Sequence, residues 1–230
     1  MKILGVITAR GGSKGVKEKN IKLLSGKPLI AYTIECALKS NLCDVIVSTD
    51  NYKIKEISEE LGANVPFIRP PDLSSDSASS LDVIVHALKS MEEINSTKYD
   101  AVMLLQPTSP FRTSNDINHC IDLLNKRDDA DSVISVVDVG SHHPARMKYI
   151  SDDFLIDPPF CEKKENQNRQ ELEPMYIRNG VIYLTRSSII KKRSFKGKNC
   201  LAYLMPMSRS LNIDTQFDFD LCDWVINKTK

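Results

Sequence analysis

The chain has 230 residues, with 31 Lys and Arg against 30 Asp and Glu, a net charge of +1 and 41% hydrophobic residues. That length supports one sizeable core, and the near-cancelled charge excludes an extended polyanion-binding face or acidic tail, so no nucleic-acid partner is expected. No apolar run approaches membrane-spanning length, the first strand leaves no room for a secretory leader, and six scattered cysteines form no C-x-x-C pair, so the expectation is a reduced, cytoplasmic protein with no membrane contact.

In chain order, KILGVIT at 2–8 reads as a short buried strand. The following ARGGSKGVKEKN at 9–20 sets Arg10, Lys14, Lys17 and Lys19 against Glu18 alone. Pro28 then opens a helix with Ile30, Ile34, Ala37 and Leu38 on one face. DVIVSTD at 44–50 is a second strand, and a helix with Ile54, Ile57 and Leu61 inward stops at Gly62. A proline-bearing stretch at 66–71 precedes a helix patterned by Leu81, Ile84, Val85 and Leu88, with Ser79 and Asp82 at capping-box spacing. YDAVMLL at 99–105 is a third strand; Ser114 or Asn115 is expected to cap the helix bearing Ile117, Ile121 and Leu124.

DSVISVVDV at 131–139 is a strand, after which residues 141–178 lose regularity. That segment is too long for an ordinary connection and too rich in isolated apolar residues for a linker, so a protruding arm or lobe is expected. GVIYLT at 180–185, a short helix, a strand around CLAYLMP and a helix after Asp214 with Phe217, Leu221, Trp224 and Val225 near one face complete the chain. Alternating strands and helices predict βαβ units in a single α/β domain over 1–230, around a largely parallel sheet covered on both faces. Ligands of such sheets sit beyond the carboxyl ends of the strands, which singles out ARGGSKG, STD and QPTSPFR.

The glycine loop fits neither the P-loop nor the G-x-G-x-x-G spacing. Its glycines permit unusual φ values and close backbone approach, so its N–H groups and basic side chains can gather around an anion. A solvated basic turn is the alternative, and the position after the first strand favours phosphate binding.

ITARGGSKGVKEKNI, VSTD at 47–50, RPPDLSSDSASSLDVIVHAL at 69–88, LLQPTSPFR at 104–112, NGVIYL at 179–184 and NIDTQFDF at 212–219 together resemble, in order, the blocks of the CMP-sialic acid synthetases, or acylneuraminate cytidylyltransferases. The resemblance implies a nucleotidyltransferase of Rossmann-like three-layer fold, with a mostly parallel mixed sheet, that transfers CMP from CTP to the anomeric hydroxyl of a nine-carbon 2-keto sugar acid, releasing pyrophosphate. N-acetylneuraminate is the reference substrate, and legionaminate, pseudaminate or an eight-carbon deoxyoctulosonate are alternatives. A non-catalytic nucleotide-binding module is the reading from outside the enzyme class.

The resemblance assigns CTP to Arg10, Gly11, Gly12, Ser13, Lys14, Gly15, Lys19, Asn20, Arg69 and Ser80, with Lys19, Arg10 and Asp214 catalytic. For Ser79 and Ser80, one serine can cap the helix while the other binds; Arg69 is equally readable as a surface charge. Gln106 is the expected sugar ligand. Ser109 and Arg112 either line the same loop or cap the next helix. Arg146, Arg169 and Arg178 are candidates for the sugar carboxylate, for which a bidentate guanidinium is well suited, and the arm at 141–178 is expected to form a homodimer and reach the partner's site.

Two departures stand out. The family often has R-P-N-G where this chain has Ile177-Arg178-Asn179-Gly180, and D-I-D where it has Asn212-Ile213-Asp214. The implied Mg²⁺ (or Mn²⁺) would therefore rest on Asp214, with Asn212 offering only a neutral oxygen. His142 and His143 point to opposite sides of an extended segment, and His86 and His119 sit on helices, so no histidine is assigned to catalysis.

Overall fold

The computed structural model describes residues 1–228. In chain order its strands and helices are β1 (Ile3–Thr8), β2 (Leu23–Leu24), β3 (Lys27–Pro28), α1 (Leu29–Leu38), β4 (Asp44–Ser48), α2 (Tyr52–Glu60), α3 (Ser80–Ile94), β5 (Ala101–Leu105), α4 (Ser114–Asn125), β6 (Ser132–Asp138), β7 (Tyr149–Ser151), β8 (Phe154–Ile156), β9 (Tyr176–Arg186), α5 (Ser187–Lys191), β10 (Cys200–Leu204) and α6 (Gln216–Lys228). Among the described residues the main sheet has the order β10-β6-β9-β5-β1-β4. β1 runs parallel to β4 and β5, and β10 parallel to β6, while β9 is antiparallel to both neighbours. The expected mixed, mostly parallel sheet is what forms.

The central strands read as unbroken apolar runs because both faces are covered: every residue of β5 is buried, and so are the first five of β1. One core packs Ile3, Ile7 and Met103 against α1 and α4 residues such as Ile34, Ile117 and Leu124; the other packs Leu4, Val6 and Leu104 against Ile84, Leu88 and Met91 of α3. A third cluster joins Val16, Leu24 and Leu29 to Ile213, Phe219 and Cys222, so the segment after the glycine loop rests on the last helix.

Several sequence expectations shift. α4 is capped by Thr113, whose side chain accepts from Asp116 N while Asp116 returns a bond to the Thr113 N–H, a reciprocal box that neither Ser114 nor Asn115 supplies. On α1, Leu38 is exposed. On α6 the buried residues are Phe219 and Cys222, whereas Phe217 and Trp224 lie in solvent, because the helix touches the body along one narrow stripe. β9 starts at Tyr176, so residues 176–178 of the expected arm are already strand, paired with Asp138, Val137 and Val136. Within the remaining arm, β7 and β8 form a hairpin whose six residues are all exposed.

Candidate functional site

A cleft of about 460 Å³ opens at the carboxyl ends of β1, β4 and β5. Arg10, Ser13, Lys14, Gly15, Lys19, Asn20, Arg69, Ser80, Gln106, Asn212 and Asp214 all line it. Sequence-distant loops converge there because parallel strands deliver their C-terminal loops to one edge.

The glycine loop is held by specific ties. Asn20 is nearly buried and donates its amide to the Arg10 carbonyl at 2.9 Å; Gly11 N donates to Asp50 Oδ1 at 2.9 Å. The glycines act through space rather than φ, since none of Gly11, Gly12 and Gly15 has a positive φ. A Cβ on Gly15 would stand 2.0 Å from the Asp214 carbonyl oxygen, and one on Gly11 2.7 Å from the Asn51 amide, while Gly12 has nothing within 4 Å. Gly15 is therefore the point where the first loop and the approach to α6 touch backbone to backbone. The expected convergence of N–H groups is correspondingly trimmed, because Gly11 N serves Asp50 and Ser13 N donates to Gly11 O.

Four cations face this space, and each has a carboxylate close by. Lys19 Nζ donates to the Ile213 carbonyl at 2.7 Å and lies 3.7 Å from Asp214 Oδ1. Burial pushes its pKa below the ordinary lysine value, with Asp214 drawing it partly back. Arg69 is 4% exposed, donates Nε to Ser74 Oγ at 3.1 Å and sits 3.7 Å from Asp50. It is fixed by the Arg69 N–H bond to Thr49 O and by the bridge between Thr49 and Ile68; burial lowers its pKa and Asp50 opposes that. Arg10 and Lys14 share Asp76, at 2.8 and 2.6 Å.

The serine question resolves by division of labour. Ser79 Oγ accepts from Asp82 N at 3.1 Å and caps α3, leaving Ser80, the first helical residue, on the cleft wall. Gln106 is set from two sides: buried Arg112 donates to its carbonyl at 2.7 Å, and Gly180, at φ +75°, leaves room for its side-chain oxygen 3.1 Å from where a Cβ would be. Arg112 also donates to Val181 O and Thr33 Oγ1, so it neither lines the cleft nor caps α4. Ser109 is fully buried beneath the loop and away from the cleft.

Asn212 donates Nδ2 to Asp214 Oδ2 at 2.6 Å, and its own Oδ1 is buried without a hydrogen-bond partner. Such an orphaned oxygen beside an exposed carboxylate is a donor pair suited to a hard cation. Among the described residues no three His, Cys, Asp or Glu side chains converge, so a cation here would take its remaining oxygens from water and a ligand's phosphates.

The other expected sugar ligands lie elsewhere. Arg146 pairs with Glu162 at 2.8 Å and the Gln167 carbonyl at 2.7 Å; Arg169 pairs with Asp138 at 3.2 Å; Arg178 is exposed on β9. None lines the cleft. His143 is buried in the arm, its ring bonded to Ala145 N and Glu173 O, and His86 packs edge-on against Phe67. Sequence reading missed Ser75, Asp76 and Thr108 on the cleft wall, and it singled out the STD loop without the bond that Asp50 accepts from Gly11 N–H. The signal for Asp76 was faint, one acid in a serine-rich run. No described helix is long and apolar enough to cross a membrane, and all six cysteines are free.

The family model described as Cytidylyltransferase matches residues 4–192. The chain is 37% identical to the CMP-N,N'-diacetyllegionaminic acid synthase of Legionella pneumophila, over 97% of this chain and 95% of that protein. It is 38% identical to the N-acylneuraminate cytidylyltransferase of Escherichia coli O18:K1:H7, over 96% of this chain and 51% of that one, so the chain spans about half that relative's length. A solved CMP:2-keto-3-deoxy-manno-octonic acid synthetase complexed with CTP superposes over the whole of both chains with a TM-score of 0.75 at 15% identity, a likeness of fold.

Proposed function

The chain belongs to the cytidylyltransferase family, and from that premise we propose that it transfers CMP from CTP to the anomeric hydroxyl of a nine-carbon 2-keto sugar acid. The observation that carries this reading is the convergence of Arg10, Lys14, Lys19, Arg69, Ser80, Gln106 and Asp214 in one cleft. The similarity to the Legionella synthase along both full lengths favours a legionaminate-type acid over N-acetylneuraminate, pseudaminate or an eight-carbon acid.

The chemistry follows from charge. The sugar hydroxyl oxygen forms a bond to the α-phosphorus as the bond to the bridging oxygen breaks and pyrophosphate leaves. Such a displacement calls for in-line positioning and neutralisation of phosphate oxygens more than for a covalent nucleophile. Lys19, half-buried and aimed by the Ile213 carbonyl, brings a fixed positive charge. Arg10 and Lys14 hold the outer phosphates, Ser80 at the start of α3 meets the nucleotide, and Gln106, able both to donate and to accept, orients the acid. Asp214, with Asn212 beside it, would hold Mg²⁺, which when bound neutralises phosphate charge.

Arg146 and Arg169 serve the sugar carboxylate of a second copy in this reading, the arm at 141–175 being the homodimer contact. The exposed apolar residues Tyr149, Ile150, Phe154, Leu155 and Phe160 support that assignment. A cytoplasmic location accords with CTP as substrate. The test is pyrophosphate release from CTP and Mg²⁺ with a panel of nine- and eight-carbon acids. Turnover with legionaminate-type acids is expected; CTP binding without turnover on any acid would make the chain a binding module.

A further inference from the structure

The cleft that the proposed function assigns to a polyanion is, in the free protein, largely neutralised by its own carboxylates, three acids against four cations. Arg69 faces Asp50, Lys19 faces Asp214, and Arg10 and Lys14 both close on Asp76. The three acids are not equivalent. Asp50 is anchored by the Gly11 N–H and Asp214 by the Asn212 amide. The contacts of the Asp76 carboxylate are with the two cations themselves, at 2.8 and 2.6 Å. Arg10 also donates Nη1 to the neighbouring Ser75 carbonyl at 3.1 Å, so the serine-rich loop ahead of α3 is fastened across the glycine loop.

Resting on the cytidylyltransferase reading, we infer that Asp76 is a displaceable internal counter-ion that occupies the triphosphate-binding cations of the free enzyme and sets its nucleotide affinity. A phosphate group meeting Arg10 and Lys14 takes up the hydrogen bonds that Asp76 now accepts. A carboxylate left in place beside that phosphate would repel it, so nucleotide entry and departure of Asp76 from the pair are one exchange. The geometry suits exchange. Asp76 is half exposed, Lys14 is 78% exposed, and the space beside Gly12 is open within 4 Å. Leaving therefore opens no buried unpaired charge, and surface pairs of this kind hold weakly.

The inference makes Asp76 a determinant of KM and not of the chemical step, and it separates the loop's two acids from one another. Asp72, on the same loop, has no such contact with either cation.

The experiment is calorimetric titration with CTP, and with inorganic tripolyphosphate, at fixed ionic strength, on wild type, Asp76→Asn, Asp76→Glu, Arg10→Ala and Lys14→Ala. Asp76→Asn is expected to bind both ligands about threefold to tenfold more tightly, the size expected for release from two exposed ion pairs. It should lower the KM for CTP with kcat unchanged, while Asp76→Glu, which keeps the charge, stays near wild type. Equal or weaker binding by Asp76→Asn, with Arg10→Ala still losing affinity, would overturn the counter-ion role and leave the phosphate loop standing. Unchanged CTP affinity in both Arg10→Ala and Lys14→Ala would instead remove the loop assignment, and this inference with it.

Discussion

Arg69 and Arg112 in the body of the protein are each 4% exposed, whereas Arg146 and Arg169 in the arm keep 39% and 60% of their side-chain surface. Arg112 is held by two backbone carbonyls and the Thr33 hydroxyl, and Arg69 by the Ser74 hydroxyl and the Asp50 carboxylate. In the arm, Arg146 pairs with Glu162 and the Gln167 carbonyl, and Arg169 with exposed Asp138; an exposed bridge of the latter kind holds a side chain in place by only about 0–1 kcal/mol. The contrast teaches where each half of the site is finished. In the proposed reading the nucleotide half is held in place within one chain before the ligand arrives, the Asp76 exchange apart. The arm exposes Tyr149, Ile150, Phe154 and Leu155, the composition on which the proposed homodimer contact rests.

Substitutions can break that division. The largest effect is expected from Lys19→Ala, which should cut turnover by about 10²–10³-fold, the usual cost of a lost transition-state donor, with little change in Tm. A comparable loss of folding would make Lys19 structural. Next comes Gly15→Ala, whose new methyl has nowhere to go, since the facing atom is the Asp214 backbone oxygen at 2.0 Å. Displacement of the loop from α6 should cost about 1–3 kcal/mol and at least roughly tenfold in kcat/KM, read by thermal melting and pyrophosphate release. Gly12→Ala, in open space, should cost far less.

A pH profile sharpens the same point. Burial lowers the Lys19 pKa below the ordinary lysine value, so its positive charge is present below that pKa and lost as pH rises through it. kcat/KM, which reports the free enzyme, should fall on the alkaline side earlier than an exposed lysine would give, and Lys19→Arg should carry that limb to higher pH. The smallest effect on nucleotide binding is expected from the arm. Ile150→Asp with Leu155→Asp should leave the CTP Kd unchanged while abolishing self-association in sedimentation and impairing sugar turnover. A changed CTP Kd would mean that the two regions are one site.

Much of the body was legible from sequence because its signals are local. Apolar runs such as AVMLL announce buried strands, and Gly-rich and Gln-Pro loops follow them directly. The failures have physical reasons. Ser114 and Asn115 are good capping residue types, but the cap belongs to the residue whose partner stands three places on, and that is Thr113 with Asp116. On α6, large side chains at 217 and 224 outweighed Phe219 and Cys222 in the pattern, although only a narrow stripe is covered. Arg112 resembled a loop ligand because its role depends on carbonyls of β9 and the Gln106 loop that only the folded sheet brings near it. Asp76 gave only a faint signal for the same reason: its partners lie more than sixty places away on another loop.

The contact between Gly15 and Asp214 has a practical corollary. Through it, and through the packing of Val16 with Ile213 and Phe219, the first loop is in direct contact with the segment that leads into the last helix and with that helix. That helix carries Trp224, the chain's one tryptophan, on its solvent side. If the proposed function holds, a change in Trp224 emission on adding CTP is the expected sign that binding at the first loop is felt at the last helix, and stopped-flow fluorescence is the measurement that checks it.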